Sequence, residues 1–451
     1  MKTINTSRRK FLGQSGSLAI ALPLAAAVPA AVEEIAAPKT VHAASADDIR
    51  QSIPNRTLPT LAIGSAKATV AGLPTMSSPN PLMDCSGLIQ ATINGLGSAG
   101  GTVVIPWQKN PGSTNQIGNN QCIYMINSQA SVTSSGVYYG VQLQSNVRIV
   151  CEPGVKLQAM TINSDPTQLT TRAYMFYATQ VHDVEIANCW LVGERYTHIY
   201  SSSTATDEHC YGIALLGVTN VNIRATYISD CTGDGICIGN SGSTQTFNIT
   251  LCDVVSTGNR RQALSITAGS SISVYDSEFS YTFGTAPGDG IDIEPDASAD
   301  AVSNVTIENC VIRGNAGDGI QVNAHAGSVT GVHVVNCLID YNFYAGVSTA
   351  NSNGFAADTG TVYGNAFFQN GWYGLQMGGT TTNYIVGGYS SGGYDSNSFA
   401  NNGIHNGNIT YPNSTPANTS GYVAGSDMTM SAGSLASSSN NKIQWNLYCT
   451  A

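Results

Sequence analysis

The amino-acid sequence predicts an all-β chain, a single-stranded parallel β-helix (solenoid) whose first coil is covered by a short N-terminal helix. Three observations carry this reading. Seven segments alternate apolar and polar residues and end in a small residue: DVEIANC, NVNIRAT, TFNITLC, SISVYDS, NVTIENC, GVHVVNC and GTVYGNA. Their last residues form a column of Cys189, Thr226, Cys252, Ser277, Cys310, Cys337 and Ala366, mostly 25 to 33 residues apart. A second strand follows at Gly235, Ala263, Gly290, Gly319, Gly346 and Gly374, as GICIG, ALSIT, GIDIE, GIQVN, GVSTA and GLQMG. No helical period lies between these strands. Self-similarity at this period is the signature of stacked repeats that bury an apolar face only against their neighbours.

Composition agrees. The 451 residues include 48 Gly, and only 10% are charged, which suits a solenoid with polar turns. In residues 1–44, Ser7-Arg8-Arg9-Lys10-Phe11-Leu12 precedes an apolar stretch and small-residue cleavage candidates around Val41–Ala46, the pattern of a twin-arginine signal peptide. Pro23, Pro29, Glu33 and Glu34 interrupt that stretch too early for a membrane anchor. The expected location is therefore periplasmic or extracellular, without membrane insertion. Removal of this segment, with its five Lys or Arg against two Glu, shifts the formal charge from −10 to −13. So acidic a chain, lacking any later basic run, is not a nucleic-acid binder.

The remaining elements follow in order. Residues 45–80, rich in Ala, Ser, Pro and Thr, read as a linker or loose cap. Asp84 to Leu96 places Leu88, Ile89, Ala91, Ile93 and Leu96 at helical spacing, with Asp84 or Ser86 available to cap. This helix shields the open end of the solenoid. The coils run over residues 81–384, and 385–451 form a C-terminal cap and irregular tail. Between Cys189 and Gly212 one coil carries an insertion, Gly193 to Cys210, where other coils need 8 to 13 residues. Insertions on one side of a solenoid build cleft walls. Eleven Cys in an exported chain raise the question of disulfides, but four fall in the small-residue column, where free thiols stack inward. No CxxC pair, the spacing of many zinc sites, is present.

Several blocks carry a family resemblance. They are Gly100-Gly101-Thr102-Val103-Val104-Ile105-Pro106, Leu143 to Ile149 before Glu152-Pro153-Gly154, Asn259 to Ile266, and Gly284 to Pro295. They resemble the opening of the pectate-lyase superfamily and the matching blocks of bacterial and phage right-handed parallel β-helix repeat proteins. The resemblance spans roughly Pro81 to Tyr384 and implies a right-handed winding. It does not choose a reaction, because the superfamily includes hydrolases, lyases and epimerases. The Gly-His-Gly and Arg-Ile-Lys blocks of polygalacturonases and the Asp-Pro-His-Glu block of mannuronan epimerases are absent from this chain.

On the second strand of each coil the apolar residues face inward and the alternate ones are expected in solvent. The outward pairs are Cys237/Gly239, Ser265/Thr267, Asp292/Glu294, Gln321/Asn323, Ser348/Ala350 and Gln376/Gly378. One coil alone carries carboxylates, and it carries two, an arrangement that costs stability unless the pair is used. Asp292 and Glu294 are thus the candidate acid and base for cutting a glycosidic bond, at an i, i+2 distance that suits inversion.

Asp234, Asp289 and Asp318 recur before the strand Gly and read as turn residues with local backbone hydrogen bonds. Asp289 is kept as a third catalytic candidate, since Asp289-x-x-Asp292 is similar to the arrangement in phage tailspike glycosidases. Asp234 and Asp318, with Gln321 from the outward pairs, complete the candidate substrate flank. One coil away, Arg260 and Arg261, followed by Gln262, are expected beside the acids, either neutralising them or gripping a uronate or sulfate. Glu208 and His209 of the insertion are expected to lean over the same flank, and Trp372 and Tyr373 offer an aromatic surface for a sugar.

These features lead to a polysaccharide-degrading glycoside hydrolase that needs no cofactor. The alternatives are a lyase or C5-epimerase using Arg and Ca2+ held by Asp289, Asp292, Glu294 or Asp296, and a non-catalytic glycan-binding solenoid.

Overall fold

The structure, a computed structural model, describes residues 58–75, 83–109, 114–116, 119–168, 170–201, 205–351 and 355–377, with short strands at 382–386, 398–400, 428–430 and 442–443. The signal segment 1–44 lies outside the described residues, as does much of 385–451.

Each full coil holds three strands. One coil runs Ala301–Glu308, Val311–Arg313 and Ile320–Ala324; the next runs Ser328–Val335, Leu338–Asp340 and Val347–Asn351. Equivalent strands pair in parallel with their counterparts one coil on, such as Ile291↔Ile320 and Ile320↔Val347. Three faces therefore wrap one continuous apolar core, to which Ile236, Ile266, Ile293 and Val322 of the third face contribute. The three-residue strands of the second face, such as Glu278–Ser280 and Val311–Arg313, are too short to show a period in the sequence.

A left-handed residue turns the chain from the first face to the second. Asn188, Ala225, Asp253, Asp276, Asn309, Asn336 and Gly364 all have φ between 52° and 69°. Asn, Asp and Gly are the residues that tolerate this conformation best. The buried residue after each defines the true small-residue column, which corrects the sequence alignment twice. Thr226 pairs with Val254 rather than Cys252, and Ala366 pairs with Leu338, which leaves Asn365 beside Cys337. A two-residue slip keeps the alternation intact, so the pattern could not reveal the first error. Cys252 is accordingly only half-buried, and the ten described cysteines are all unbridged thiols.

The predicted helix is present as α1 (Ser86–Gly95), with Ile89 and Ile93 buried in the core. Cys85 is the N-cap and makes no side-chain capping bond; Asp84, one residue earlier, accepts from Ser86 N with Oδ1 at 2.8 Å. The Gln90 amide accepts from Gln142 N (2.7 Å) and donates to Gln142 O (3.1 Å), completing the exposed edge of the third face as a further strand would. Ala66–Thr69, within the segment read as a linker, is itself a strand paired with Gly101–Ile105. Among the described residues no helix is long and apolar enough to cross a membrane.

At the corner between the second and third faces, buried asparagines stack from coil to coil. Asn315 Nδ2 donates to Asn342 Oδ1 (2.8 Å), and Asn342 Nδ2 donates to Asn370 Oδ1 (2.9 Å). Each amide satisfies the next, so polar groups sit inside the stack without a desolvation cost left unpaid.

Candidate functional site

The third face aligns Cys237, Ser265, Asp292, Gln321 and Ser348 in one outward column. A parallel column, one residue before the strand start, aligns Asp234, Gln262, Asp289, Asp318 and Ala345 through Gly235 N→Gln262 O and its equivalents. The second strands are therefore registered as the sequence predicts. The expectation that their outward residues face solvent does not hold: Ser265 and Asp292 are buried, Asp292 at 3% exposure. Their side chains are joined through Gln262. Ser265 Oγ, with one proton to give, lies within hydrogen-bond distance of Asp234 Oδ2 (2.7 Å) and Gln262 Oε1, while Gln262 Nε2 donates to Asp292 Oδ2.

The three aspartates before the strand Gly are not turn residues bonded locally. Asp289 Oδ1 accepts from Asp318 N (2.5 Å), and Asp318 Oδ1 accepts from Ala345 N (2.6 Å), each reaching the next coil. Asp318 Oδ2 accepts from Ser348 Oγ (2.5 Å). Asp234 and Asp318 are thus buried braces between coils, which corrects their assignment to the substrate surface. Asp289 is equally buried, but its Oδ2 has no hydrogen-bond partner, because Gln321 stands where the neighbouring braces find Ser265 and Ser348. Asp292 Oδ1 is likewise without a partner. Burial, reinforced by Glu294 and opposed by Arg261 and Gln262, pushes the Asp292 carboxyl up to about 8.

The two arginines diverge, since consecutive residues leave the backbone on different sides. Arg261 Nη1 donates to Asp234 Oδ2 (3.1 Å) and Gln262 Oε1 (3.0 Å), and its Nε lies 3.8 Å from Glu208 Oε2. Burial works against its charge, but Asp234, Tyr211, Asp292 and Glu208 outweigh it and hold the guanidinium ionised. Arg260 does not join the acids, a correction to the predicted pair. Its Nη1 donates to Thr206 O (2.8 Å) and Thr232 O (3.0 Å), and its guanidinium lies 5.3 Å from the Tyr200 ring.

The insertion explains that difference. Its interior is a buried network in which the His198 ring bridges Glu194 Oε2 (3.0 Å) and Asp207 Oδ2 (2.9 Å). Thr232 Oγ1 donates to Glu194 Oε1 (2.7 Å), Thr171 N donates to Asp207 Oδ1 (2.7 Å), and Arg195 reaches Gly258 O and Phe283 O. These anchors fix the residues that follow Asp207. Glu208 accordingly lies against Arg261, and His209 against Glu208 and the Tyr211 hydroxyl. The His209 ring, its Nε2 3.7 Å from Glu208 Oε1, together with Arg261 outweighs burial and lowers the Glu208 carboxyl below its ordinary range.

Glu294 is half-buried, its Oε1 accepting from Asn323 Nδ2 at 2.7 Å. Burial raises its carboxyl, against the opposing pull of His325 and Arg261. Sequence reasoning missed Gln262 as the link between Arg261 and Asp292, and His325 at the rim, because each lies in a different coil from the residue it acts on. Trp372 packs against Tyr344, with centroids 4.6 Å apart, at a corner of the stack. Among the described residues no three His, Cys, Asp or Glu side chains converge in a way that could hold a metal ion.

Comparison with known proteins agrees with the fold. A family profile described as "Right handed beta helix region" matches residues 170–359 and 298–390. The uncharacterized protein YclG of Bacillus subtilis (strain 168) is 32% identical over 162 residues, covering 32% of this chain and 27% of YclG. Among solved structures, ORF18 of Geobacillus virus E2 aligns over 71% of this chain and 56% of its own, with a TM-score of 0.50 and 14% identity. The tailspike protein gp49 of the Acinetobacter baumannii bacteriophage Fri1, titled a capsular polysaccharide depolymerase, aligns over 74% and 58%, with a TM-score of 0.46 and 13% identity. This chain thus spans about a quarter of the curated relative and little over half of the viral ones. Three faces of in-register parallel strands and the matched profile together give the fold of a right-handed parallel β-helix.

Proposed function

We propose that this chain is an exported enzyme that hydrolyses glycosidic bonds within a polysaccharide, with Glu294 as general acid and Glu208 as general base. The observation that carries this reading is a pair of carboxyls around Arg261 whose environments push their protonation in opposite directions. Such divergence separates an acid from a base. Glu294, whose carboxyl burial shifts upward and so toward the protonated form, donates its proton to the leaving glycosidic oxygen as the C–O bond breaks. Glu208, held ionised by His209 and Arg261, takes a proton from the water that attacks the anomeric carbon. The products are a new reducing end and a shortened chain, and both carboxyls are restored by proton exchange with solvent.

Asp292 has a supporting role in this proposal. It is sealed beneath the surface and stays protonated up to about pH 8, so it adds no negative charge near Glu294 at neutral pH. Asp289 lies in the same buried layer and braces the coil below. The i, i+2 pair of Asp292 and Glu294 thus gives way to a pair drawn from two elements, the third-face strand and the insertion. Export through the twin-arginine route belongs to the same proposal, as slow parallel pairing favours folding before secretion.

The test is a panel of neutral, uronate and sulfated polysaccharides, assayed both for reducing ends and for the ultraviolet absorbance of unsaturated uronides. Reducing ends without that absorbance, lost in Glu294→Gln and Glu208→Gln, support hydrolysis. Absorbance that rises with time and falls with chelator would replace this reading with a lyase. Saturable binding without product would leave a glycan-binding solenoid.

A further inference from the structure

A second surface stands out at the corner between the second and third faces. One residue per coil there adopts the left-handed conformation: Asp230, Gly258, Tyr281, Gly314, Tyr341 and Gln369, with φ from 50° to 68°. Glycine fills this position at no steric cost, and Gly258 and Gly314 do so. Tyr281 (φ 55°) and Tyr341 (φ 57°) are the aromatic residues among the described non-glycine positions of positive φ, most of which are Asn or Asp. A bulky side chain there is strained, and strain of this kind persists where a site requires it. Both rings are nevertheless among the most exposed large side chains described, at 53% and 49%. Neither the core nor the coil geometry calls for them.

Their placement is regular. Tyr281 N donates to Arg313 O (3.0 Å) and Gly314 N to Asp340 O (3.1 Å), so the two tyrosines occupy one column with Gly314 between them. Two coil heights separate them, about 9.5 Å. A Cβ on Gly314 would lie 2.7 Å from Cδ1 and Cε1 of Tyr281, so the glycine leaves the space over which that ring lies. Tyr341 is braced edge-on by Phe368, with centroids 5.7 Å apart at 83°. On the intervening coil Arg313 Nε and Nη2 grip Asp340 Oδ1 (3.0 Å) and Oδ2 (2.6 Å), forming a fixed charged fork beside the rings.

We propose that Tyr281 and Tyr341 form a non-catalytic carbohydrate-holding surface, on which two pyranose rings of an extended polysaccharide stack while their hydroxyls meet the exposed part of the Arg313 guanidinium, which the buried Asp340 holds in place. The C–H face of a pyranose packs on an aromatic ring, and a spacing of two coil heights suits alternate sugars of a chain lying along the solenoid axis. Tyr281 belongs to the coil that carries Asp292 and Glu294, so a polymer gripped here runs beside the candidate cleft. This inference rests on the polysaccharide reading for the class of ligand but not on cleavage.

The experiment is native affinity electrophoresis of the full chain through gels containing soluble xylan, alginate or carrageenan. The proteins compared are the wild type, Tyr281→Asn/Tyr341→Asn, Tyr281→Phe/Tyr341→Phe and Glu294→Gln. Asparagine is chosen because the chain itself tolerates it at left-handed positions. The wild type and Glu294→Gln should be retarded alike in at least one gel. The Asn double variant should lose about ten-fold in apparent affinity, the scale of two lost stacking contacts, while its melting temperature stays the same or rises. The Phe double variant should keep the affinity. Equal retardation of wild type and Asn double variant would overturn the proposal, as would no retardation in any of the gels. So would light scattering that shows the tyrosines holding a dimer, with retardation unaffected by their loss. Tyrosine-dependent retardation without any cleavage product would sink the hydrolase reading and leave this surface standing.

Discussion

Arg261 Nη1 donates to Asp234 Oδ2 at 3.1 Å, joining a cation on one coil to a fully buried acid on the coil before it. Burial outweighs this contact, so the Asp234 carboxyl still titrates above its usual range. Replacing Arg261 with Met should lower stability at pH 7 by about 3–5 kcal/mol, the cost of leaving a buried charge without its partner. The loss should be smaller at pH 5, where Asp234 more readily takes up a proton. Urea unfolding at the two pH values measures both.

Stability should fall as pH rises from about 4 to 8. Asp292 has a folded-state value near 8 against an ordinary 3.8, so the folded chain binds more protons than the unfolded chain across that window. The slope of unfolding free energy with pH is then negative. Glu208 and Asp207, whose carboxyls are lowered, act in the opposite sense only below their ordinary range. Asp292→Asn should flatten the decline. Melting temperatures of both proteins at pH 5, 6.5 and 8 provide the check.

For catalysis, Glu294→Gln and Glu208→Gln should each lower kcat by about 10²–10⁴-fold, the range of a lost general acid or base. Glu208→Gln should remove the acidic limb of the rate profile and Glu294→Gln the basic limb. Arg260→Ala should leave both limbs in place, because its guanidinium holds Thr206 and Thr232 rather than the acids. Rate profiles of the variants on the substrate found in the panel distinguish these outcomes.

Asn342→Ala should cost about 2–3 kcal/mol, since it leaves the buried amides of Asn315 and Asn370 without their middle partner. The same loss should appear whether or not polysaccharide is present. Denaturant midpoints report it, and hydrogen exchange should show lost protection at Asn315 N, which bonds Asn342 Oδ1 at 3.3 Å.

Much of the winding was legible in the residues themselves. The second strands beginning at Gly235, Ala263, Gly290, Gly319, Gly346 and Gly374 are in register as read, because each carries the same short apolar alternation after a small residue. Cys252 and Ala366 were misaligned for an equally local reason. The left-handed residue that marks the face boundary, Asp253 or Gly364, is a backbone feature that the hydrophobic pattern does not show. The three-residue strands of the second face lie below the length at which a period of two can be recognised.

The candidate site divides along the same line. That Asp292 and Glu294 share a strand, and that Arg261 lies one coil away, follows from the repeat. The directions of Arg260 and Arg261, the burial of Asp292 and the descent of Glu208 onto Arg261 do not. They depend on where the insertion settles, and that is set by His198 bridging Glu194 and Asp207 and by Arg195 reaching Gly258 and Phe283.

By itself the sequence determined the solenoid, its capping helix and the coil on which carboxylates gather, because these rest on period and alternation, which are properties of neighbouring residues. The tertiary structure alone decided which carboxyl meets solvent, which is sealed and which is kept ionised. Solvation and charge at each group are set by atoms tens of residues away in the chain, brought within a few ångströms only when the coils stack.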